Sequence, residues 1–303
     1  MTNLKVAREE LAPKPRLDWF IVAWFVVLHV VAIIGPFYFF SWGALLTAVA
    51  LYFITGMLGI TLGYHRLLTH RSFKAPRWVE RTLGTMGVLA LQRGPIEWVA
   101  THRMHHSFVD DARDPHNARQ GFWWSHLAWM CVPNPDLRDI VHQRKFARDI
   151  VADPYLNWLS GDLPQILVQV SLGVILLAIG GWNYVIWGIF VRCAFVYHVT
   201  WFVNSATHQY GYRNFETKDL STNNWWVALL AFGEGWHNNH HAYPDVAQAG
   251  IKWWEFDLTF LVIRLMSKLG LAYEIKLPPN NSDFQPTELL AKNVASLPAG
   301  LMP

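Results

Sequence analysis

Histidines occur in three tight groups along the chain, and their spacing suits the binding of metal ions. Two groups have the pattern His-x-x-His-His, at residues 102–106 and 237–241, and the third places His65 and His70 five residues apart. Because residues at i, i+3 and i+4 share one face of a helix, each His-x-x-His-His group can direct three imidazoles to one place. Imidazole binds iron, zinc, copper and nickel, and no thiolate or hard-oxygen cluster competes with it here.

The candidate ligands are more numerous than one metal ion needs. Asn204 and His208 extend the three groups, because they lie four residues apart where an apolar stretch ends. Nine histidines and one asparagine fit two octahedral-type ions better than one tetrahedral zinc. The predicted ligands are His65, His70, His102, His105, His106, Asn204, His208, His237, His240 and His241.

Other histidines have less distinctive positions. His29 lies within an apolar stretch and is expected to pack or to form a hydrogen bond. The sequence Asp114-Pro115-His116 could supply a partner for a metal-bound histidine, which usually needs a carboxylate or carbonyl at its other nitrogen. No ligand-like spacing is found for His116, His126, His142 and His198.

Two apolar blocks must position these groups. Residues 19–65 contain no Asp, Glu, Lys or Arg over 47 positions, enough for two spans of about 20 residues each. The second block, 163–212, has Arg192 as its one charged residue and is divided by Gly180-Gly181. A charge inside a span is costly unless it faces protein or reaches the interface. We predict an all-α membrane protein with four transmembrane helices in two hairpins, at about residues 19–40, 44–64, 163–180 and 183–204.

Charge predicts the orientation. The hairpin turns carry no charge, whereas the termini and the segment between the blocks carry nearly all the Lys and Arg. The positive-inside rule therefore places the termini and that segment in the cytoplasm. All the histidine groups then meet at one membrane boundary, in a helical cytoplasmic cap made of segments 65–162 and 205–303. We expect one domain, 1–303, with no cleaved signal peptide and a loosely ordered tail after Leu277.

Composition supports a membrane protein and excludes other classes. Apolar residues make up 52% and charged residues 16%, against about 25% charged in soluble domains. The 17 tryptophans suit long membrane–water boundaries. Two cysteines exclude a disulfide framework and a four-cysteine iron–sulfur cluster within one chain. The net charge of +3, without a long basic tract, indicates no nucleic-acid surface.

The motifs closely resemble those of the membrane fatty-acyl desaturases, in particular the Δ9, stearoyl-type branch and its cyanobacterial and bacterial members. The resemblance covers about residues 20–265. It is carried by Gly63-Tyr64-His65-Arg66, Glu97-Trp98 before residues 102–106, Asp114-Pro115-His116, Asn204-Ser205-Ala206-Thr207-His208, and Gly233-Glu234-Gly235-Trp236 before residues 237–241.

The resemblance implies an O2-dependent enzyme that forms a cis double bond, at Δ9, in a saturated acyl chain. It implies two iron ions held by the nine histidines, with Asn204 acting through a bound water. Gln92 and Trp201 match positions near the substrate tunnel. Such a protein would lie in a bacterial inner membrane or a thylakoid membrane, with both termini and the di-iron site cytoplasmic.

The resemblance also bears on the acyl carrier and the electron donor. Acyl-CoA enzymes of the family have CoA-contacting pairs where this chain has Ala100-Thr101 and Val132-Pro133, which favours a lipid-linked chain over CoA or acyl carrier protein. No nucleotide-binding GxGxxG unit is apparent, so an external donor is expected, ferredoxin ahead of cytochrome b5 or rubredoxin. Two roles are open for Arg138, Arg144, Lys145 and Arg148: guiding an acidic donor or facing lipid headgroups.

Other functions fit the sequence less well. A di-iron lipid or alkyl hydroxylase would share the histidine groups and differ in the product. A histidine-rich metal transporter would need ionisable residues deep within several spans, where only His29, Arg192 and His198 qualify. A membrane b-type cytochrome would place its histidine pairs in the middle of the bilayer, not at its boundary.

Overall fold

The structure, a computed structural model, describes residues 16–279. Within that range the chain is helical, with three isolated β-bridges and no β-sheet. The all-α prediction is therefore confirmed for this part of the chain. Residues 1–15, where no cleaved signal peptide is expected, lie outside the described residues, and of the expected loosely ordered tail only residues 278–279 are described.

The first apolar block forms two helices joined by a short break. Helix α1 (Trp19–Tyr38) begins where the Asp18 carboxylate accepts hydrogen bonds from the first backbone N–H groups. Helix α2 (Trp42–Tyr52) begins where Ser41 Oγ accepts from the Ala44 N–H. Without interruption, α2 continues into a π-helical segment, Phe53–Thr69.

The polar middle segment contains two substantial helices and several short ones. Helix α3 (Arg77–Val88) packs against the π-helical segment, and helix α4 (Pro95–Phe108) carries the first His-x-x-His-His group. A large buried apolar cluster, with Leu67, Val79 and Val99 among its members, joins these elements. The short helices are Ala118–Gln120, Trp124–Ala128, Trp129–Cys131, Pro135–Arg138, Ile140–Phe146, Arg148–Ala152 and Pro154–Leu159.

The second apolar block folds back on itself. Helix α5 (Asp162–Val185) is interrupted at Gly180 and Gly181, whose backbone is not helical; Gly181 has φ 66°, which glycine adopts readily. Leu176 lies against Gly188, so the two legs run antiparallel. The second leg continues as a π-helical segment, Ile186–Val191, and helix α6 (Arg192–Ser205).

The C-terminal part adds three helices that cover the ends of the long ones. Helix α7 (Trp225–Leu230) and helix α8 (His237–Ala242), which carries the second His-x-x-His-His group, are both short. Helix α9 (Leu258–Lys268) packs against the π-helical segment Phe53–Thr69. A 3₁₀ turn, Ala206–His208, follows α6.

Contacts between the legs place both turns at one end of the bundle. Gly35 of α1 meets Ile186, and His29 meets His198 farther along α6, so α1 runs antiparallel to that leg. Gly43 of α2 meets Tyr184, and Thr55 of the following π-helical segment meets Arg192, so that continuous helix runs parallel to it. The helical leg that carries His65 and the leg that leads into His208 therefore end close together, at the opposite end of the bundle from the turns.

Three helical stretches are long and apolar enough to cross a membrane: Trp19–Tyr38, Trp42–Thr69 and Asp162–His208. The third has 47 residues and includes the reversal at Gly180-Gly181, so it contains both legs of the second predicted hairpin. Large apolar side chains on these stretches are exposed, for example Phe20 at 81% and Phe37 at 84%. Such continuous apolar surface marks a membrane protein.

Arg192, the one charge in the second apolar block, faces protein as the sequence requires. Its side chain is buried, and it donates from Nε to Gly188 O at 2.9 Å and from Nη1 to Leu89 O at 2.5 Å. Nη1 also lies 3.3 Å from Thr55 Oγ1. These acceptors offset part of the cost of burying the guanidinium.

Candidate metal centre

Five histidines from three parts of the chain meet at the end of the bundle opposite the turns. This five-histidine cluster contains His65, His70, His102, His106 and His240, with one ring nitrogen from each lying within 4.8 Å of the others. Neighbouring Nε2 atoms are 3.0 to 3.3 Å apart. Helix α4 supplies two of these rings, as the i, i+4 spacing predicts.

A four-histidine cluster lies beside it and contains His105, His208, His237 and His241. The Nε2 atom of His237 lies 3.1 Å from that of His208 and 3.0 Å from that of His241. The rings of His106 and His241 stack with their centroids 4.8 Å apart, so the clusters adjoin. The structure thus brings all nine predicted histidines into two adjacent groups.

The Nε2 contacts suit metal coordination rather than hydrogen bonding. His105 and His241 place Nδ1 at 2.9 and 3.1 Å from carboxylate oxygens, which accept the single N–H of a neutral imidazole. Their Nε2 atoms then carry lone pairs, and that of His105 is buried without a partner. Two nitrogens bound at right angles to one ion, at about 2.1 Å each, lie about 3.0 Å apart, as observed here.

The π-helical backbone explains the unusual spacing of His65 and His70. In an α-helix, residues five apart point about 140° away from each other. Here the His70 N–H donates to His65 O, the i to i+5 bond of a π-turn, and the two rings lie 4.8 Å apart. π-Helical turns occur often at functional sites because they change which side chains share a face.

Four carboxylates approach the outer nitrogens of the histidines. Asp114 accepts from His105, and Asp219 accepts from His241, while Asp110 lies 3.8 Å from His208 Nδ1. Glu234 lies 2.9 Å from His65 Nδ1. Burial acts to raise the pKa of Asp219, but hydrogen bonds from His241 and Ser221 outweigh it and hold that pKa far below the usual range. The hydrogen bonds to Asp114 and Asp219 orient the rings of His105 and His241.

Burial favours the neutral form of six of the cluster imidazoles. It is the main cause that holds their pKa values well below the ordinary value of 6.5, and repulsion between neighbouring imidazoles adds to it. The neutral ring is the form that binds metal. This pKa depression applies to His70, His102, His105, His106, His237 and His240.

A largely apolar cavity opens beside the five-histidine cluster, with an empty volume of about 510 Å³. His65, His102 and Asn204 line it at the metal end, and Tyr52 and Gly56 line its other end. Asn204 thus borders the cavity, one helical turn before His208 of the four-histidine cluster.

The two predicted tunnel residues take different positions. Gln92 donates to Thr200 Oγ1 at 2.9 Å and accepts from Trp98 Nε1 at 3.4 Å, and both partners line the cavity. Trp201 is buried on the opposite face of α6, where it packs edge-on against Phe25 with ring centroids 5.3 Å apart. Gln92 therefore contacts two residues of the cavity wall, Thr200 and Trp98, without being a lining residue itself.

Three histidines outside the clusters form a chain. His29 Nε2 lies 3.1 Å from His198 Nε2, and His198 Nδ1 lies 3.0 Å from His126 Nε2. The chain ends at Phe25 O, 2.6 Å from His29 Nδ1, and at Ser205 Oγ, 2.9 Å from His126 Nδ1. The expectation that His29 packs or forms a hydrogen bond is confirmed, but the spacing of the three gave no sign of this chain.

Of the four carboxylates beside the histidine clusters, the sequence analysis predicted only one. Asp114 was predicted as a possible partner of a ligand, and it accepts from His105. Asp110 and Glu234 were not predicted, although their positions within four residues of a His-x-x-His-His group could have indicated them. Asp219 lies far from any group along the chain and gave none.

The fold and the site define a class: helical, membrane-type proteins that hold metal ions in histidine clusters beside an apolar cavity. The sequence pattern of the fatty acid desaturase family matches residues 40–275. The chain therefore belongs to the fatty acid desaturase family, and it is a membrane protein and an oxidoreductase. The histidine clusters and the family together support an iron site.

Relatives within the family share much of the sequence. A Synechocystis protein named sn-1 stearoyl-lipid 9-desaturase is 52% identical over 89% of this chain and 84% of the relative. An Anabaena variabilis protein of the same name is 50% identical over 87% and 96%. A Nostoc protein named sn-2 palmitoyl-lipid 9-desaturase is 45% identical over 91% and 96%.

Proposed function

We propose that this chain is an O2-dependent acyl-lipid desaturase that introduces a cis double bond at Δ9 into a saturated chain of a membrane lipid. The observation that carries the proposal is the pairing of two histidine clusters with an apolar cavity that starts at one of them. The names of the relatives support the position of the double bond and the lipid carrier.

Two iron ions fit the two clusters. The five-histidine cluster would hold one and the four-histidine cluster the other, with Asn204 acting through a water molecule. When bound, the iron supplies the activation of O2 and the removal of hydrogen from an unactivated carbon. The protein residues supply neutral imidazoles, two of which Asp114 and Asp219 orient, and a largely apolar cavity that would hold the chain in place.

The cavity walls determine which carbon lies next to the metal. Val196 and Val199 of α6 line the cavity together with Gly56 and Ile60 of the π-helical segment, so these walls are helices and hold their positions. Gln92 braces this wall through Thr200 and Trp98. Because a slip of one carbon would give another product, this rigidity sets the regiochemistry.

We propose four membrane spans, α1, the helix Trp42–Thr69 and the two legs of the second block, with the metal centre in a cytoplasmic cap. The arrangement of turns and histidines at opposite ends of the bundle supports this topology. One proposed domain, 1–303, would lie in a bacterial inner membrane or a thylakoid membrane.

We propose that an external one-electron donor, a ferredoxin, supplies the electrons. Exposed basic residues between Arg138 and Arg148 offer a complementary surface for an acidic protein. Because Arg138 pairs with Asp18, the proposed docking surface depends mainly on Arg144, Lys145 and Arg148.

Expression in a host without its own Δ9 desaturase tests the function, with a ferredoxin and its reductase co-expressed. Fatty acid methyl esters are then analysed by gas chromatography and mass spectrometry. We expect cis-9 monoenes in the lipid pool, and none with His105→Ala, because that variant loses a ring of the four-histidine cluster. Hydroxylated chains would favour the hydroxylase instead, and monoenes confined to thioesters would contradict the lipid carrier.

A further inference from the structure

Negative charge is unevenly distributed around the two clusters. Asp110, Asp114 and Asp219 approach three of the four rings in the four-histidine cluster, at 3.8, 2.9 and 3.1 Å from Nδ1. In the described part of the chain, their ion pairs are all with histidines and none is with lysine or arginine. The four-histidine cluster therefore has three neighbouring carboxylates that form no ion pair with a described lysine or arginine.

The five-histidine cluster has a different surrounding. Among the described ion pairs, the carboxylate that contacts its rings is Glu234, 2.9 Å from His65 Nδ1. The other oxygen of Glu234 lies 2.9 Å from Arg66 Nε, and both side chains are buried. The guanidinium thus offsets the charge of Glu234, although Arg66 also pairs with Asp257 at 2.9 Å.

From this asymmetry we infer that, when the centre holds one ferric and one ferrous ion, the ferric ion lies in the four-histidine cluster. The inference rests on the proposed di-iron function. Buried negative charge favours the more highly charged ion, since it is weakly screened. Hydrogen bonds from Nδ1 to Asp114 and Asp219 also make the imidazoles stronger donors to the metal.

The order of reduction follows from the inference. Starting with two ferric ions, one electron from a reduced mediator dye converts the ion in the five-histidine cluster to the ferrous state, and the dye is oxidised. The second electron then reduces the ion in the four-histidine cluster. Asp110, Asp114 and Asp219 act here as positioning residues, because they reach the metal only through the rings.

Stepwise reduction of the iron-loaded protein, followed by Mössbauer spectroscopy of enriched iron, tests the order. The matched variants are Asp219→Asn and Glu234→Gln, which each replace one carboxylate by its amide beside one cluster. We expect Asp219→Asn to change the signal that is reduced last and to bring the two steps closer together. We expect Glu234→Gln to change the signal that is reduced first and to move the steps apart.

The two variants are expected to change the separation between the reduction steps in opposite directions, and this makes the outcome decisive. If Asp219→Asn changed the signal that is reduced first, or if both variants moved the steps in the same direction, the inference would be wrong. Asp110→Asn serves the same purpose should Asp219→Asn lose iron, because the Asp110 carboxylate lies 3.8 Å from His208 Nδ1 and its loss perturbs that ring less. Iron content is measured first: fewer than two ions in the unsubstituted chain would overturn the proposed function together with the inference.

Discussion

At the scale of single residues, the site depends on which nitrogen of each ring holds the proton. Asp114 and Asp219 fix the N–H of His105 and His241 on Nδ1, and this leaves the Nε2 lone pairs free to converge. The rings also have to remain neutral, which burial achieves by lowering their pKa values. The same burial makes the metal-free protein sensitive to acid.

We expect the metal-free protein to lose stability as the pH falls from about 7 to about 5. Unfolded histidines titrate near pH 6.5, whereas burial holds the pKa values of the folded rings lower, His102 and His240 among them. The unfolded chain therefore binds more protons in this range, so the contribution is present above pH 6.5 and is lost below it. Melting midpoints measured in detergent across this range check the prediction, and a constant midpoint would contradict it.

Gly56 is expected to limit the length of the acyl chain. A Cβ at this position would lie 3.3 Å from Phe232 and 3.4 Å from Tyr52, at the end of the cavity remote from the clusters. Gly56→Val should raise selectivity for palmitoyl over stearoyl chains about tenfold, because two methylenes that no longer fit are worth about 0.8 kcal/mol each. Competition between the two lipids measures this ratio.

Gly173→Ala is the control for that experiment. It lies in α5, away from the cavity, and its Cβ would be in ordinary contact with Ile189 at 3.5 Å. The control should keep the original selectivity. An unchanged ratio in Gly56→Val would place the end of the acyl chain elsewhere.

At the scale of elements, spacing predicted the helical groups better than the segments between them. The i, i+3, i+4 pattern at residues 102–106 and 237–241 correctly placed each set on one helix. The spacing of His65 and His70 was a weaker signal, because an α-helix would separate the rings and only a π-helical backbone brings them together. Nothing in local propensity distinguishes the two helix types, so packing of the neighbouring helices must decide.

The His29–His198–His126 chain is expected to stabilise the contact between α1, α6 and the short helix Trp124–Ala128. His198→Leu removes both central contacts, each worth about 0.6 to 1.7 kcal/mol within a membrane. The melting midpoint should therefore fall by several degrees. His142→Leu, which replaces a histidine outside the chain, is the control, and equal effects of the two substitutions would show that the chain adds little.

At the scale of the whole molecule, the apolar blocks predicted the bundle, but the sequence did not predict how the irregular segments complete the centre. Asp219 reaches His241 from a stretch without helix or strand, between α6 and α7. Such a stretch has no periodicity from which its path could be inferred. Its position follows from tertiary hydrogen bonds such as that of Asn214 N with Asn238 Oδ1.

The orientation of the whole molecule in the membrane can be tested by labelling introduced cysteines. Trp182, beside the turn in the second block, is 60% exposed, and Arg213, near the metal centre, is also exposed. Trp182→Cys and Arg213→Cys are made in a background with Cys131→Ser and Cys193→Ala. In intact cells stripped of any outer wall, an impermeant maleimide should label the first variant, whereas the second should react only after permeabilisation. The reverse result would place the metal centre outside, away from the reduced donors of the cytoplasm, and the positive-inside argument would then be wrong.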